Sequence, residues 1–513
     1  MRFRGPLADS YPAAVALVVF ALIPYLALTS ALTPLQQVLG TGVGLSPQAL
    51  QLTTGMANAG YAFGTVVAVQ FAVHLRGRRM LILYATLFVI GSVLAAWAPL
   101  PGLFIAGHVL QGMTTSLMLI AAVPPLVTGW PTSRMPITGV VMNMCIFGAV
   151  AVGPVLGGVQ AGLGGWRPLF WIVAGLGALA LLFALLIFED QGPQDPSAPW
   201  DWVAMALAGG GCAAAFFGAS ELTTHPMMSA IVFIPLVGGA ALIVILVVYQ
   251  FVTRHPLMPV RKVATTFPVT GIIVAMTAGA ASVAAIELAE TALQKQPGPP
   301  SPVHVAMLFW PEFGGAVVTA VIFGALFRTR LTPVLALAGM ALLAGGAAVL
   351  TGVATGPHAL VVVGSGLVGL GVGASVSPAL FIAGFSLASG QIQRVFALIE
   401  LLRGVAAFMV APILLHLAMT VSASPAQGIG PAMWVCFGLA GGGGLVALFI
   451  GLLGRARLQR PDLDVWEQGE EPAWESPELA AGIRGDAAVP TVSGSPVPGA
   501  LGGRARRSRS PVR

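Results

Sequence analysis

Charge is what this chain has least of. Asp, Glu, Lys and Arg make up 8% of its 513 residues, where a water-soluble domain carries about a quarter. With 57% of the residues hydrophobic, there are too few polar side chains to cover an exterior that faces water. Lipid must solvate most of the outside, and a large soluble enzyme is excluded. Lysine is scarcer still: it stands only at Lys262 and Lys295, and arginine supplies every other basic side chain. Arg in place of Lys, with abundant Gly, Ala and Pro, leads to the expectation of a GC-rich bacterial source. Cysteine is limited to Cys145, Cys212 and Cys436, each inside an apolar run and none at metal-ligand spacing. Neither a disulfide framework nor a zinc site is supported. No nucleophile with a base and an orienting group, and no phosphate-cradling loop, stands at a credible place, so a membrane enzyme is the least supported reading.

What the chain has instead is apolar runs of spanning length. They lie near 12–35, 48–73, 80–99, 101–128, 136–161, 168–188, 201–220, 227–252, 267–293, 302–327, 333–353, 358–385, 394–419 and 431–454, divided by short polar or Pro/Gly breaks. Each can cross a hydrocarbon core about 30 Å thick as a helix. The predicted fold class is an all-α polytopic membrane protein with fourteen transmembrane helices. The first run, from Pro12 to near Leu32, reads as a retained signal anchor rather than a cleaved signal peptide.

The arginines test the register. With an even count and both termini cytoplasmic, the inner segments hold Arg2, Arg4, Arg76, Arg78, Arg79, Arg134, Arg254, Arg261, Lys262, Arg328, Arg330, Arg394, Arg455, Arg457 and Arg460. The external loops hold only Arg167 and Lys295, and Arg403 is the one basic residue inside a span. This is the asymmetry of the positive-inside rule, and losing one span would mix the signs in every later loop. After about 460 the character changes: Asp462, Asp464, Glu467, Glu470, Glu471, Glu475 and Glu478 form an acidic stretch, followed by Pro, Gly and Ser and a basic end from Gly502 to Arg513. Such a composition buries too little apolar surface to fold alone, so 459–513 is expected to be a disordered cytoplasmic tail. Its last arginines are placed to touch anionic headgroups. Residues 1–11 are expected to be a short cytoplasmic segment.

Several motifs then point to a family. The loop between the second and third spans runs from Gln70 through His74 to Gly77-Arg78-Arg79. It resembles the G-x-x-x-D-x-x-G-R-R/K signature of the major facilitator superfamily, with Gln70 for the first glycine and His74 for the acid. His108-Val-Leu-Gln111-Gly112 in the fourth span is similar to the family's R-x-x-Q-G, with histidine for arginine. Gly153-Pro154-Val-Leu-Gly157-Gly158 in the fifth matches the antiporter motif G-P-x-x-G-G in full, and Gly165-Trp166-Arg167-Pro168 follows it as in drug exporters. His255-Pro256-Leu257 with Arg261, the glycines 366, 369, 371 and 373 with Pro378, and Arg403-Gly404 resemble later elements of the fourteen-helix drug:proton antiporters. The resemblance covers nearly all of 12–458. It implies a major facilitator fold of two six-helix bundles, 12–190 and 263–458, with a linker, 191–262, that carries two extra transmembrane helices. It also implies alternating access powered by the proton gradient with no other cofactor, and export of small amphipathic compounds. The partners implied are the bilayer and a small-molecule substrate, with no nucleic acid, for a monomer in the inner cell membrane. In the family the missing acid helps latch the bundles on the inner side; His74 has no permanent negative charge, so that latch is altered or absent.

Gly153 and Gly157 share a helix face and let a neighbouring helix approach closely, while Pro154 removes a backbone donor; Gly158 follows on the next face. Together they suit a tight, bendable contact, and equally ordinary helix packing. Gly77 is expected to permit the sharp turn that Arg78 and Arg79 anchor at the surface. The costly residues inside spans are Glu287, Glu290, Glu312, Glu400, His108 and Arg403, since charge at mid-bilayer is expensive and marks a cavity, a partner or a bound proton. Glu287 and Glu290, three apart, share a face and repel when both are ionised, as suits a proton carrier, or they sit hydrated at the external mouth. Glu312, between Trp310-Pro311 and Gly314-Gly315, suits a cavity that binds a cation with Trp310 as a cation–π face, or is a neutral acid donating one hydrogen bond. Glu400 and Arg403 read first as an internal ion pair. His108 is a candidate proton site or a neutral, hydrogen-bonded histidine. The first span carries no acid, only Thr29, Ser30, Thr33 and Gln36. Asn58, Tyr61, Gln111, Met142 and Asn143 in central spans are expected to line the cavity or to pack between helices.

These residues lead to a secondary transporter, with proton-driven export of drugs or hydrophobic metabolites as the expectation. The alternatives are an exporter dedicated to one endogenous metabolite and a non-transporting receptor or scaffold on a transporter fold.

Overall fold

The computed structural model describes residues 5–187, 193, 195–296, 298, 300–420, 425–469 and 471–479. Arg2, Arg4 and the basic end from 502 onward lie outside the described residues. Fourteen helices among the described residues are long and apolar enough to cross a membrane. They are α1 (Tyr11–Val43), α2 (Pro47–His74), α3 (Gly77–Trp97), α4 (Pro101–Thr128), α5 (Thr132–Gly162) and α6 (Arg167–Ile187). Next come α7 (Trp202–Glu221) and α8 (Ala230–Val252). The last six are α9 (Thr266–Gln294), α10 (Pro302–Leu326), α11 (Thr332–Leu350), α12 (Ala359–Phe385), α13 (Ser389–Thr420) and α14 (Gly428–Leu453). The fold is thus the all-α polytopic one expected. Only α1 departs much from its apolar run, continuing to Val43 because Thr33, Gln36 and Gln37 stay helical.

Local chemistry sets the ends. Ser10, Ser46, Asp201 and Ser301 cap α1, α2, α7 and α10, each accepting a first-turn N–H, and proline follows the three serines inside the first turn. Gly44 ends α1 in the left-handed region at φ 77°, which glycine adopts without strain. The turn between α2 and α3 corrects one expectation. Leu75 and Arg76 make it in extended conformation, and Gly77 is simply the first residue of α3.

The first six spans pack together, α1 on α5 and α6, α2 and α3 on α4, and α3 on α6. The last six form a second group, α9 on α12, α13 and α14, α10 and α11 on α12, and α11 on α14. The halves meet where α2 touches α13 and where α5 touches α10. The α7–α8 hairpin is drawn tight by Gly218 and Gly239, where a methyl group would overlap the facing backbone. It leans on α2 of one half and α13 of the other, across their seam. Its outer surface is apolar and open to lipid, with Ile234 67% and Val244 61% exposed.

The expected disordered tail is corrected over its first part. A short helix, α15 (Leu463–Glu467), and the segment behind it dock on the face that carries the termini. Trp466 and Trp474 are buried there. Trp466 lies edge-on to Phe385 at 4.7 Å and donates its indole N–H to the Leu387 carbonyl at 2.8 Å. Pro477 O accepts from Thr266 N at 3.0 Å, and Ser476 Oγ accepts from Phe267 N at 3.0 Å. The acidic composition hid two aromatic anchors and a set of acceptors that satisfy the open N-terminus of α9.

Candidate functional site

A cavity of about 850 Å³ lies between the two halves and opens on the face opposite the termini. Its walls are the later turns of α1, the early turns of α2, and the later turns of α9 and α13, with the α7–α8 loop at the rim. α1 contributes Thr29, Ser30, Thr33 and Gln36; α2 contributes Gln51, Thr54 and Asn58. In both helices the polar groups recur every three or four residues, so they form one stripe against an otherwise apolar surface. Met227, Met228 and His416 line the mouth. The sequence reading missed Gln51, Thr54 and His416, although the spacing with Asn58 carried the signal for the first two.

Glu287, Glu290 and Glu312 all line this cavity. Glu290 stands within electrostatic reach of both others, so two helices supply one carboxylate group of three. Glu312 Oε2 is buried and has no hydrogen-bond partner among the described residues. No group among the described residues has the arrangement of a metal site. Arg403 forms the floor. Its Nε donates to Glu400 Oε1 at 3.2 Å and a terminal nitrogen donates to Oε2 at 2.5 Å, while the Phe147 ring lies 5.9 Å away. The ion pair read from their spacing is present, and Tyr61 adds a third member by donating to Glu400 Oε2 at 3.1 Å.

Other expected site residues sit elsewhere. Tyr61 is fully buried beneath the floor rather than in the wall. It stacks on Tyr25, whose hydroxyl donates to Asn58 Oδ1 at 3.3 Å. Gln111 and His108 are buried behind that layer; His108 Nδ1 meets Gln111 Oε1 at 3.0 Å, and Gln111 donates to Ser92 at 3.0 Å. His108 therefore has no direct path to the cavity surface. Met142 is packed in the core. Asn143 donates to the Gly373 carbonyl at 2.9 Å and so ties α5 to α12 instead of lining the pocket. Trp310 is 49% exposed and packs on Phe313 at 5.2 Å; two residues before Glu312, it points nearly opposite and supplies no cation–π face.

The glycine motif of α5 is read by its neighbours. A methyl group on Gly153 would overlap Ser30 Oγ and the Ala27 carbonyl, and one on Gly157 would overlap the Ala31 carbonyl. Gly158 faces the other half, where a methyl group would come 2.7 Å from the Pro302 carbonyl. Pro154 lies in the same stretch, just after a π-helical turn at Met144–Gly148, and such turns mark places where helices yield. α5 is thereby wedged between α1 and α10.

On the termini face the halves are shut. Gly139 of α5 sits against Phe323 of α10 and Phe327 just past its end, and these belong to an aromatic cluster with Phe381 and Phe385. Asp464 of α15 accepts from Thr132 at 2.9 Å, so the docked segment touches the first half as well as the second. His74, in place of the family acid, meets the Ala198 carbonyl through Nε2 at 2.8 Å and stacks on Trp200 at 4.3 Å. Arg78 reaches the Leu185 carbonyl at 3.3 Å, and Arg79 is exposed.

The profile of the Major Facilitator Superfamily matches residues 16–412. The chain is 26% identical over 242 residues to the uncharacterized MFS-type transporter YubD of Bacillus subtilis, covering 47% of each. It is 28% identical over 359 residues to the multidrug resistance protein B homolog of Mycobacterium tuberculosis, covering 68% of this chain and 64% of that one. A third relative, the drug efflux pump JefA of Mycobacterium tuberculosis, is 30% identical over 178 residues, 33% of each chain. The chain thus spans from 47% to 64% of the length of the first two relatives. Among solved structures, a POT family transporter bound to a thioalcohol-conjugated peptide aligns with a TM-score of 0.62 at 13% identity, over 86% of this chain and 96% of that one. The human organic anion transporter MFSD10 aligns at 0.57 and 13%, over 84% and 99%. At those identities the structural likeness is one of fold. With its motifs, its fourteen spans and its two packed groups of six, the chain belongs to the Major Facilitator Superfamily and is a multi-pass membrane protein.

Proposed function

We propose that the chain exports small amphipathic compounds, drugs or hydrophobic metabolites, in exchange for protons. In this reading it works as a monomer in the cell membrane with both termini in the cytoplasm, and the cavity described above faces outward. The observation that carries the reading is the cavity itself: it lies between the halves, opens on one face only, and holds three carboxylates on α9 and α10. Two relatives, one named a multidrug resistance protein B homolog and the other a drug efflux pump, support the substrate class.

The steps follow from the geometry. In the open state protons enter from the mouth and neutralise part of the repulsion among Glu287, Glu290 and Glu312. Neutral carboxyls let α9 and α10 approach, and the substrate leaves as the pocket narrows. α5 then rocks on its glycine face against α1 and α10, and the aromatic closure around Phe323 and Phe327 parts. The carboxylates release their protons inward, and the mixed polar and apolar wall receives the next molecule. Arg403 and Glu400 hold the floor in both states.

The test is export from proteoliposomes loaded with a panel of lipophilic fluorescent compounds. A protonophore should abolish export by the wild type, and Glu290→Gln with Glu312→Gln should lower it at least tenfold. Export that proceeds unchanged with the protonophore present contradicts the coupling; no export of any compound contradicts the substrate class.

A further inference from the structure

A second cavity, of about 1170 Å³, lies on the termini face, walled by the 195–201 linker, the start of α7, the end of α8, the 253–262 linker and the start of α13. It collects four cations from two segments: Arg254, Arg261 and Lys262 on the 253–262 linker and Arg394 on α13. The two acids that border it are already engaged. Asp195 accepts from the N–H and hydroxyl of Ser197, which hold its carboxyl below the usual carboxylate range. Asp201 caps α7 and accepts from Tyr249 and Gln250. Arg254, Arg261 and Lys262 make no hydrogen bond or ion pair with a described residue, and all three are exposed. Arg394 is half-buried and within electrostatic reach of Asp195.

The apolar side of the same cavity runs toward lipid. Trp202 is 65% exposed, Phe251 45% and Val252 69%, and all three border the cavity at the ends of α7 and α8. A site with free cations at its rim and an open apolar wall beneath matches a molecule with an anionic head and hydrocarbon chains. A soluble anion would leave that wall unused, and a zwitterionic lipid would leave the cations unmatched.

We propose that this cavity binds the phosphate headgroup of an anionic phospholipid, whose acyl chains lie along Trp202, Phe251 and Val252 on the α7–α8 hairpin. The site gives the inserted hairpin a task of its own: it seats one lipid where the hairpin joins the seam between the halves.

The test uses the delipidated full-length chain in detergent, titrated with phosphatidylglycerol, phosphatidylethanolamine or glycerol phosphate and read by native mass spectrometry. Phosphatidylglycerol is expected to bind at least tenfold more tightly than phosphatidylethanolamine. Neutralising Arg254, Arg261, Lys262 and Arg394 to Gln should weaken it at least tenfold, whereas Arg328→Gln with Arg330→Gln, on the same face outside the cavity, should not. Phe251→Ser with Val252→Ser should weaken the lipid and leave glycerol phosphate unaffected. The proposal is overturned if the fourfold variant binds phosphatidylglycerol as the wild type does. It is overturned equally if glycerol phosphate binds as tightly as the lipid, which would make this an anion site without a lipid.

Discussion

Tyr61 of α2 donates to Glu400 of α13 at 3.1 Å, and Arg403 closes on the same carboxylate from one turn further along. The trio joins the two halves beneath the cavity, and all three side chains are buried. Glu400→Gln leaves the Arg403 guanidinium buried without a counter-charge and should lower stability by about 3–5 kcal/mol. Tyr61→Phe removes one hydrogen bond and should cost about 1 kcal/mol. Unfolding in detergent measures both; a Glu400→Gln variant no weaker than Tyr61→Phe contradicts the charge balance.

The glycine face of α5 gives a second prediction. A methyl group at Gly157 meets the Ala31 carbonyl and Pro34, and backbone cannot yield as a side chain does. Gly157→Ala should cost about 1–3 kcal/mol and reduce transport in proteoliposomes by more than the loss of folded protein explains. Gly345→Ala meets nothing within 4 Å and should leave both unchanged.

Accessibility distinguishes wall from core. The native cysteines Cys145, Cys212 and Cys436 are buried and should give little background. Thr54→Cys, in the cavity wall, should react with an impermeant maleimide added on the side opposite the termini, and Met142→Cys, packed in the core, should not. Equal labelling of the two contradicts the cavity's outline.

The docked segment after α14 should protect the start of α9. Trp466→Ala should cost about 3–5 kcal/mol where the segment packs, and truncation before residue 461 removes the acceptors of Thr266 N and Phe267 N. Hydrogen exchange at those two amides should accelerate in both variants; unchanged exchange contradicts the docking.

The span register was legible because apolar length and the placement of arginine are properties of segments, and both survive any rotation of a helix. The cavity was legible only in part, because lining depends on rotation and depth. Asn58 and Tyr61 are three residues apart on α2, yet one reaches the cavity and the other lies below its floor. Trp310 and Glu312 are two apart on α10 and face opposite ways. The acids were found because their burial is costly wherever they point. The hydroxyls and amides of Gln51 and Thr54 carry no such cost, and only their spacing with Asn58 distinguished them. Trp466 and Trp474 were overlooked among seven acidic neighbours, since average composition says nothing about two well-placed aromatic side chains.

The most direct measurement is proton release from purified protein on addition of a transported compound, in weakly buffered detergent solution, compared with a variant carrying Gln at 287, 290 and 312. The wild type should release protons on binding and the triple variant should release none while keeping its fold. Release that is the same in both would place the coupling groups outside this cavity.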